Sequence, residues 1–375
     1  MRIAVLGGGP AGLYFSYLWK TRHPRAEIAL FEQNAADATF GFGVVFSERA
    51  LDFMQQDDPE TVGAIMPYME TWRDIKLVHR GEEIVIDGVG FWAVGRLEFL
   101  RLLQERASGA GVVARYGTLV KSTDELSGFD LIVGADGVNS LIRRSFEGDF
   151  KTSLACLDNK FIWYGTSQPF DALTQTFVET ELGTFNAHHY RYAPNKSTFI
   201  IECDRATWLR TGFDQLSPEE TQDALERVFA ASLGGHTLIS NKSAWRNFPW
   251  VWNERWSFGN MVLVGDALHT AHFSIGSGTR LALEDVIALV KALEAAPDDL
   301  GAALALYEAN RRPIVEKLVQ ASKASASWYE CFPEHMRLAP LDFAMSYVGR
   351  SGRVDRDRLR AMSPDFMARY DAAHR

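Results

Sequence analysis

The stretch Met1-Arg-Ile-Ala-Val-Leu-Gly-Gly-Gly-Pro-Ala-Gly12 predicts a buried strand that runs directly into a glycine-rich turn. Ile3 to Leu6 is an uninterrupted apolar run, which is typical of a parallel strand buried on both faces. The turn, Gly7-x-Gly9-x-x-Gly12, has the glycine spacing of a dinucleotide-binding site, and a predicted helix follows it. The free N–H groups and the positive dipole end of such a helix suit a diphosphate.

A second predicted strand supports this interpretation. Residues 27–31 follow the helix, and Glu32 comes directly after them, twenty residues after Gly12. A carboxylate at this distance is placed to accept hydrogen bonds from an adenosine ribose and would repel a 2′-phosphate. Strand, turn, helix, strand and acid together favour an adenine dinucleotide over a loop that only caps the helix.

Length and composition predict an ordinary globular protein of two to three domains. The 375 residues are 47% hydrophobic and 23% charged, which allows a large core. A formal net charge of −9 argues against a nucleic-acid partner. Three widely spaced cysteines predict neither a disulfide framework nor a metal site, so we expect no metal.

The sequence offers no targeting or membrane segment. A strand that begins at residue 2 leaves no room for a signal peptide. No apolar run reaches the roughly 18 residues that a membrane-spanning helix needs. We therefore expect a cytoplasmic protein with no membrane partner, present as a monomer or homodimer.

Two further strands run into glycine turns. Residues 131–133 lead into Gly134-Ala-Asp-Gly137, and residues 261–264 lead into Gly265-Asp-Ala-Leu-His269. Between these turns, residues 160–204 read as antiparallel strands that suit one wall of a pocket. Helices are predicted over 48–58, 279–293 and 300–328, the last with a break at Arg311-Arg-Pro313.

Three such turns in this order resemble the single-component FAD aromatic hydroxylases, which have the p-hydroxybenzoate hydroxylase fold. The resemblance covers essentially the whole chain. It implies a mixed α/β fold in which a Rossmann-like, three-layer FAD-binding domain is interleaved with an antiparallel substrate-binding sheet. The expected segments are FAD-binding at 1–70, 93–155 and 256–295, substrate-binding at 71–92 and 156–255, and C-terminal helical at 296–375.

The resemblance also implies which residues contact FAD. They belong to the three glycine turns, the loop beside the isoalloxazine, the first residue of one helix, and the helix N-terminus that faces the flavin. They are Gly7, Gly9, Pro10, Ala11, Gly12, Glu32, Gly43, Val44, Arg96, Asp136, Gly137, Gly265, Asp266, Gly276, Gly278 and Thr279. From residue type alone, Asp136 and Asp266 have a second interpretation, as ordinary helix caps.

One departure from the family pattern indicates a subfamily. His272-Phe-Ser274 stands where the family usually has proline, and with Ile162-Trp-Tyr-Gly-Thr166 it resembles two groups. One group is the salicylyl-CoA 5-hydroxylases with the flavin domains of 2-aminobenzoyl-CoA monooxygenases, and the other is the indole hydroxylase of violacein biosynthesis. The arginine-rich tail resembles the CoA-thioester group more closely. Alternatives of another class on this fold are an FAD-dependent reductase and a non-catalytic flavin-binding protein.

The reaction that the resemblance implies uses NADH or NADPH and O2. The pyridine nucleotide reduces FAD, O2 adds at the flavin C4a, and the distal oxygen of the hydroperoxide passes to an activated aromatic ring. Electrophilic attack prefers positions ortho or para to an electron donor. A 2-hydroxy or 2-amino aroyl-CoA would therefore react at C5.

Candidate substrate contacts follow from residue type and position. His188 and His272 are candidates to orient or deprotonate a phenol, with a structural histidine as the alternative for each. Tyr164, Phe185 and Phe273 are candidates to stack on the substrate ring, with core packing as the alternative. The arginines from residue 350 to 360 would hold the 3′-phosphate of CoA, unless they form a solvated basic tail.

Overall fold

A computed structural model describes residues 1–39, 41–47 and 51–375. Its strands are β1 (Arg2–Leu6), β2 (Glu27–Phe31), β3 (Gly43–Ser47), β4 (Glu70–Trp72), β5 (Ile75–His79), β6 (Glu82–Ile86), β7 (Phe91–Gly95), β8 (Val113–Arg115), β9 (Leu131–Gly134), β10 (Thr152–Thr166), β11 (Leu173–Thr180), β12 (Gly183–Ala193), β13 (Lys196–Cys203), β14 (Leu238–Ile239), β15 (Arg246–Asn253), β16 (Ser257–Phe258) and β17 (Met261–Leu263).

The α-helices are α1 (Pro10–Arg22), α2 (Asp52–Asp57), α3 (Pro59–Ile65), α4 (Arg96–Gly109), α5 (Leu141–Ser145), α6 (Glu147–Phe150), α7 (Arg205–Arg210), α8 (Pro218–Val228), α9 (Ala230–Leu233), α10 (Gly278–Ala295), α11 (Leu300–Glu330), α12 (Phe332–His335), α13 (Pro340–Gly349), α14 (Arg356–Met362) and α15 (Pro364–Ala373). Of the helix predicted over 48–58, residues 48–50 lie outside the described residues. Within the described ranges, no helix combines the length and apolarity needed to cross a membrane.

A six-stranded sheet forms one half of the fold, in the order β16-β17-β9-β1-β2-β8. β1 pairs in parallel with both β2 and β9, and β17 pairs in parallel with β9. The uninterrupted apolar run of β1 is completely buried, as its pattern predicts. Because parallel strands end at the same edge of a sheet, the three predicted glycine turns meet at one edge.

A larger, mostly antiparallel sheet forms the second half, in the order β14-β10-β13-β12-β11-β5-β6, with β15 paired to β10. β5 and β6 form a hairpin, which joins this sheet through a parallel pairing of β5 with β11. One face packs a core with α8 and α9, and the other faces the C-terminal helices. This architecture confirms the predicted mixed α/β fold.

The predicted break in the last long helix is wrong. α11 runs without interruption from Leu300 to Glu330 and contains Pro313. Proline removes one helical hydrogen bond. The buried neighbour Arg311 offsets this loss, because its guanidinium pairs with Asp285 at 2.8 Å and Glu284 at 2.7 Å on α10.

Candidate active site

The glycine turns after β1 and β9 are in contact with each other. Gly7 allows this contact, and Gly12 allows the start of α1 to pack closely on the first turn. Gly7 has φ +100°, and a Cβ there would lie 2.3 Å from the carbonyl oxygen of Ala135. A Cβ on Gly12 would lie 2.0 Å from the carbonyl oxygen of Gly7. Gly9 differs, because a Cβ there would have nothing within 4 Å. The turn therefore borders open space at Gly9, beside the start of α1.

Glu32 is fixed against this turn. Its Oε2 accepts the backbone N–H of Gly8 at 2.7 Å, and its Oε1 accepts the backbone and side-chain N–H groups of Asn34 at 2.8 and 2.7 Å. A carboxylate oxygen has two lone pairs, so Oε2, which accepts one hydrogen bond, keeps capacity for a ribose hydroxyl, whereas Oε1 is already satisfied by Asn34. The N-terminus of α1, which begins with Gly9 as N-cap, has no side-chain cap.

Asp136 both caps a helix and keeps an oxygen free. Its Oδ2 accepts the backbone N–H of Leu141 at 2.6 Å, whereas its buried Oδ1 has no hydrogen-bond partner. Burial raises the pKa of this carboxyl above its usual range. The two interpretations of Asp136 are therefore compatible, because one oxygen serves the helix and the other is left for a ligand.

Asp266 and Arg96 belong to the same interior cleft. The side chain of Asp266 has accessible surface, but protein surrounds it on most sides. This burial raises the pKa of the carboxyl, although His269 and Arg96 act to lower it. Burial likewise lowers the pKa of Arg96, opposed by Asp266. The Arg96 guanidinium lies 6.0 Å from the ring centroid of Trp163. An accessible carboxylate in buried surroundings lines a cavity and not the outer surface.

His269 has a structural role beneath this cleft. Its Nε2 lies 2.9 Å from Oδ2 of Asp285, and the same oxygen accepts the N–H of Gly265 at 3.2 Å. Burial opposes ionisation of Asp285, but His269 and Arg311 outweigh it and lower the pKa of the carboxyl. This buried network holds the Gly265–Asp266 turn in place.

The loop before α10 meets the β3 segment. Gly276 has φ +58°, and a Cβ there would lie 3.1 Å from Cγ1 of Val45. β3 is anchored to the large sheet, because Gly43 donates its N–H to Oγ1 of Thr198 at 2.8 Å and accepts the hydroxyl of Tyr190 at 3.0 Å. The predicted flavin loop and the start of α10 therefore lie together at the sheet.

These residues fit FAD. Open space at Gly9, an uncapped start of α1 and the adjacent Glu32 suit an adenosine diphosphate. The unpartnered Oδ1 of Asp136 and the accessible carboxylate of Asp266 suit the polar chain that links it to the flavin. The N-terminus of α10 also has no side-chain cap, and a Cβ on Gly278 would meet nothing within 4 Å.

The large sheet separates the predicted substrate residues. Side chains alternate between the two faces of a strand. Phe273 lies against the front face of the sheet, which is the face opposite to α8 and α9, with its ring 5.1 Å from that of Phe161. Tyr164 and Phe185 point the other way and are buried in the core that α8 and α9 cover. These positions favour the alternative of core packing for Tyr164 and Phe185 over stacking on a substrate.

Sequence reasoning missed two aromatic residues that face the loop. Phe248 on β15 lies 4.8 Å from the ring of His272 and 6.1 Å from that of Phe273. Phe161 and Tyr164 are three residues apart on β10, so their side chains point to opposite faces of the sheet. The alternation is visible in the sequence, but it does not say which face the flavin loop covers.

His188 and His272 are brought close to Arg350. Both histidines are buried, at 6% and 1% exposure, and neither ring nitrogen of His188 has a hydrogen-bond partner. Burial, with the positive charge of Arg350, lowers the pKa of each imidazole to about 3. Arg350 donates from Nη2 to the carbonyl oxygen of Ser274 at 2.9 Å. Both rings are therefore neutral at pH 7.

The chain matches known flavoproteins. Residues 98–322 match the family described as FAD binding domain. The chain is 41% identical to a salicyloyl-CoA 5-hydroxylase of a Streptomyces species over 381 residues, covering 99% of this chain and 73% of the relative. It is 36% identical to a 3-hydroxy-4-methyl-anthranilyl-[aryl-carrier protein] 5-monooxygenase of Streptosporangium sibiricum, covering 89% and 90%.

Two further comparisons concern the second resemblance and the fold. A protodeoxyviolaceinate monooxygenase of Chromobacterium violaceum is 35% identical, covering 93% of this chain and 94% of the relative. The solved structure of 2-methyl-3-hydroxypyridine-5-carboxylic acid oxygenase in its tetrameric form superposes with a TM-score of 0.73 at 18% identity, covering 98% and 97%. At that identity the structural match supports the fold alone.

Proposed function

The chain belongs to the FAD-dependent aromatic hydroxylases, and from this premise we propose that it hydroxylates the ring of an aroyl-CoA. The leading substrate is salicylyl-CoA, attacked at C5, with 2-aminobenzoyl-CoA as a close variant. The observation that carries this proposal is 41% identity over 99% of the chain to a salicyloyl-CoA 5-hydroxylase. The carrier-protein relative, whose name also places an anthranilyl group on a carrier, supports an aromatic acid that is tethered and not free.

The proposed ring site is the space between the loop at His272 and the front face of the large sheet. Phe161, Phe248 and Phe273 provide aromatic surfaces there. Flat apolar surfaces suit a benzoyl ring and exclude water from it. Bound FAD would take electrons from NADH or NADPH and activate O2, which are the co-substrates we propose.

His188 is the proposed polar contact for the substrate hydroxyl. Its ring is buried, neutral at pH 7 and without a partner for either nitrogen. A neutral imidazole accepts a hydrogen bond from a phenol through one nitrogen. With a pKa near 3 it is a weak base, so orientation of the hydroxyl is the better supported role than its deprotonation. His272 packs against Phe248 and Phe273 and would support the same pocket.

A substrate panel tests the proposal. NADH oxidation and product formation are measured with salicylyl-CoA, 2-aminobenzoyl-CoA, free salicylate and indole. We expect stimulation and ring hydroxylation with a CoA thioester, and at most uncoupled NADH oxidation with free salicylate. The absence of product with every CoA thioester would reject the substrate proposal.

A hydroxylase of an indole or tryptophan-derived metabolite is the second candidate. The observation that favours it is 35% identity to the protodeoxyviolaceinate monooxygenase over most of both chains. An indole has no thioester arm, so this candidate predicts turnover without any CoA compound. In the same panel, hydroxylation of indole with no turnover of thioesters would select it.

A further inference from the structure

The arginines of the C-terminal tail fall into two groups. Three of them have partners within the protein: Arg350 binds the loop at Ser274, Arg356 lies 5.5 Å over the ring of Tyr370, and Arg360 pairs with Asp371 at 2.9 Å. Arg350 thus connects the tail to the loop at Ser274, and the other two connect it to α15.

The other two, Arg353 and Arg358, are exposed and adjacent. Arg358 donates from Nη1 to the carbonyl oxygen of Arg353 at 3.3 Å. Among the described residues, neither guanidinium has a carboxylate within 4.0 Å. The nearby Asp355 is occupied as a helix cap, because its Oδ1 accepts the backbone N–H of Arg358 at 2.8 Å.

Arg280, on the first turn of α10, completes a cluster of three. Its Nε lies 2.7 Å from Oε1 of Glu284, but that carboxylate is shared with Arg311, whose guanidinium is 2.7 Å from the other oxygen. Partial burial, with the like charges of Arg280 and Arg358, lowers the pKa of Arg353. The cluster therefore has a local excess of positive charge in a chain whose formal net charge is −9.

The position of this cluster relates it to the proposed ring site. Arg280 follows Gly278 by two residues, which is about 3 Å along the helix axis. Three residues before Arg353, Arg350 binds the carbonyl oxygen of Ser274 in the loop that carries His272 and Phe273. The cluster thus lies at the border of that loop and near the surface.

We propose that Arg280, Arg353 and Arg358 bind the phosphate groups of the substrate's CoA. Guanidiniums bind phosphate oxygens through two parallel charge-assisted hydrogen bonds. Arg353 and Arg358 suit this role because they are exposed and have no carboxylate partner in the described part of the chain, and Arg280, which shares Glu284 with Arg311, adds a third positive charge. The thioester places the ring in the pocket, and the pantetheine arm separates it from the phosphates. This inference rests on the proposed function and assigns the part of the substrate that the ring site does not hold.

Two other ligands offer similar chemistry. NADH and NADPH also carry phosphates, and the relative from Streptosporangium sibiricum is named for an anthranilyl group on an aryl-carrier protein. CoA is favoured because it is part of the proposed substrate, and its phosphates are the anions that the guanidiniums of Arg353 and Arg358, unpaired among the described residues, would bind. The experiment separates these cases.

Calorimetry on the FAD-loaded protein measures binding of CoA, 3′-dephospho-CoA and pantetheine. The variants are Arg353→Glu and Arg358→Glu, with Arg369→Glu as a control, since Arg369 is an exposed arginine on α15. We expect each cluster variant to weaken CoA binding about tenfold, the loss of one strong charge-assisted contact, and to leave pantetheine binding unchanged. Arg369→Glu should bind CoA like the wild type.

Steady-state kinetics give the second readout. The KM for salicylyl-CoA should rise in both cluster variants, while the KM values for salicylyl-pantetheine and NADH stay the same. An increase in the KM for NADH alone, or equal losses for both thioesters, would overturn the assignment. Hydroxylation of salicylyl-pantetheine by a wild type that does not bind CoA would also overturn it, with the proposed chemistry intact. If the cluster variants weaken CoA binding but the wild type turns over no thioester, only the proposed reaction is refuted.

Discussion

Arg311 on α11 donates from Nε to Oδ1 of Asp285 on α10 across 2.8 Å, at a point where both side chains are buried. The other carboxylate oxygen holds His269 and the backbone of Gly265. One carboxylate therefore connects the two long helices to the turn that presents Asp266. A charge pair formed inside the protein is costly to break, because the remaining charge is left without a partner.

Asp285→Asn should destabilise the protein by about 3–5 kcal/mol, since it leaves Arg311 with less compensation in a buried site. It should also weaken FAD binding, because the Gly265–Asp266 turn loses its support. Chemical denaturation and FAD titration check both effects. The control is Glu294→Gln, which breaks the half-exposed pair with Arg22 and should cost at most about 1 kcal/mol. Equal stability of the two variants would contradict the role of the network.

Gly9→Ala and Gly12→Ala should differ in kind. A Cβ at Gly9 meets no protein atom within 4 Å and its backbone is extended, so the apoprotein should keep its stability. The same methyl group would occupy space proposed for the diphosphate, and FAD affinity should fall by about tenfold or more. Gly12→Ala places a Cβ 2.0 Å from a carbonyl oxygen and should destabilise the apoprotein by about 1–3 kcal/mol.

The flavin content of the purified variants and thermal unfolding of the apoproteins separate these effects. If Gly9→Ala binds FAD as tightly as the wild type, the cofactor does not lie against this turn.

Buried histidines should make stability depend on acid pH. The folded protein holds His188 with a pKa of about 3, against an unfolded value near 6.5. Between these values the unfolded state binds the extra proton, so stability is full above about pH 6.5 and is lost as the pH falls. Each such histidine contributes about 1.4 kcal/mol per pH unit in this window. The free energy of unfolding of His188→Gln should therefore change less steeply between pH 6 and pH 4, and an unchanged slope would contradict a neutral, buried His188.

Glu202 should make the stability of the protein decrease as the pH rises, which is opposite to the effect of His188. Its carboxyl is 2% exposed, accepts a hydrogen bond from Asn159, and has its pKa raised by burial to about 8. The folded state therefore keeps a proton that the unfolded state releases near pH 4.5, and stability is lost as the pH rises from about 4.5 to 8. Glu202→Gln keeps the acceptor oxygen without the ionisation. Its stability relative to the wild type should grow by about 1.4 kcal/mol per pH unit in this window, and a constant difference in denaturation at pH 5, 7 and 9 would contradict burial of the neutral acid.

The cofactor half could be predicted from the sequence because its signals are local. Each glycine turn follows an apolar strand within a few residues, and parallel strands bring such turns to one edge whatever lies between them. Glu32 follows the same rule, because β2 pairs directly with β1. The resemblance added the family, and the comparisons confirmed it.

The substrate half was less predictable because it depends on contacts between distant segments. The alternation in β10 separates Phe161 from Tyr164 but does not tell which of them faces the loop. Arg350 comes 162 residues after His188 in the sequence. The packing of the C-terminal helices brings them together, so that the charge of Arg350 adds to burial in lowering the pKa of the His188 imidazole. The partners that divide the tail arginines into bound and free groups are likewise tertiary contacts.

The most direct test of the central claim is the origin of the oxygen atom in the product. A reaction with salicylyl-CoA, NADH and 18O2 is quenched, and the thioester product is analysed by mass spectrometry. We predict one 18O atom on the ring at C5, formed with about one equivalent of NADH when substrate is saturating. NADH consumption that yields only hydrogen peroxide, with no labelled ring product from any CoA thioester, would contradict the account.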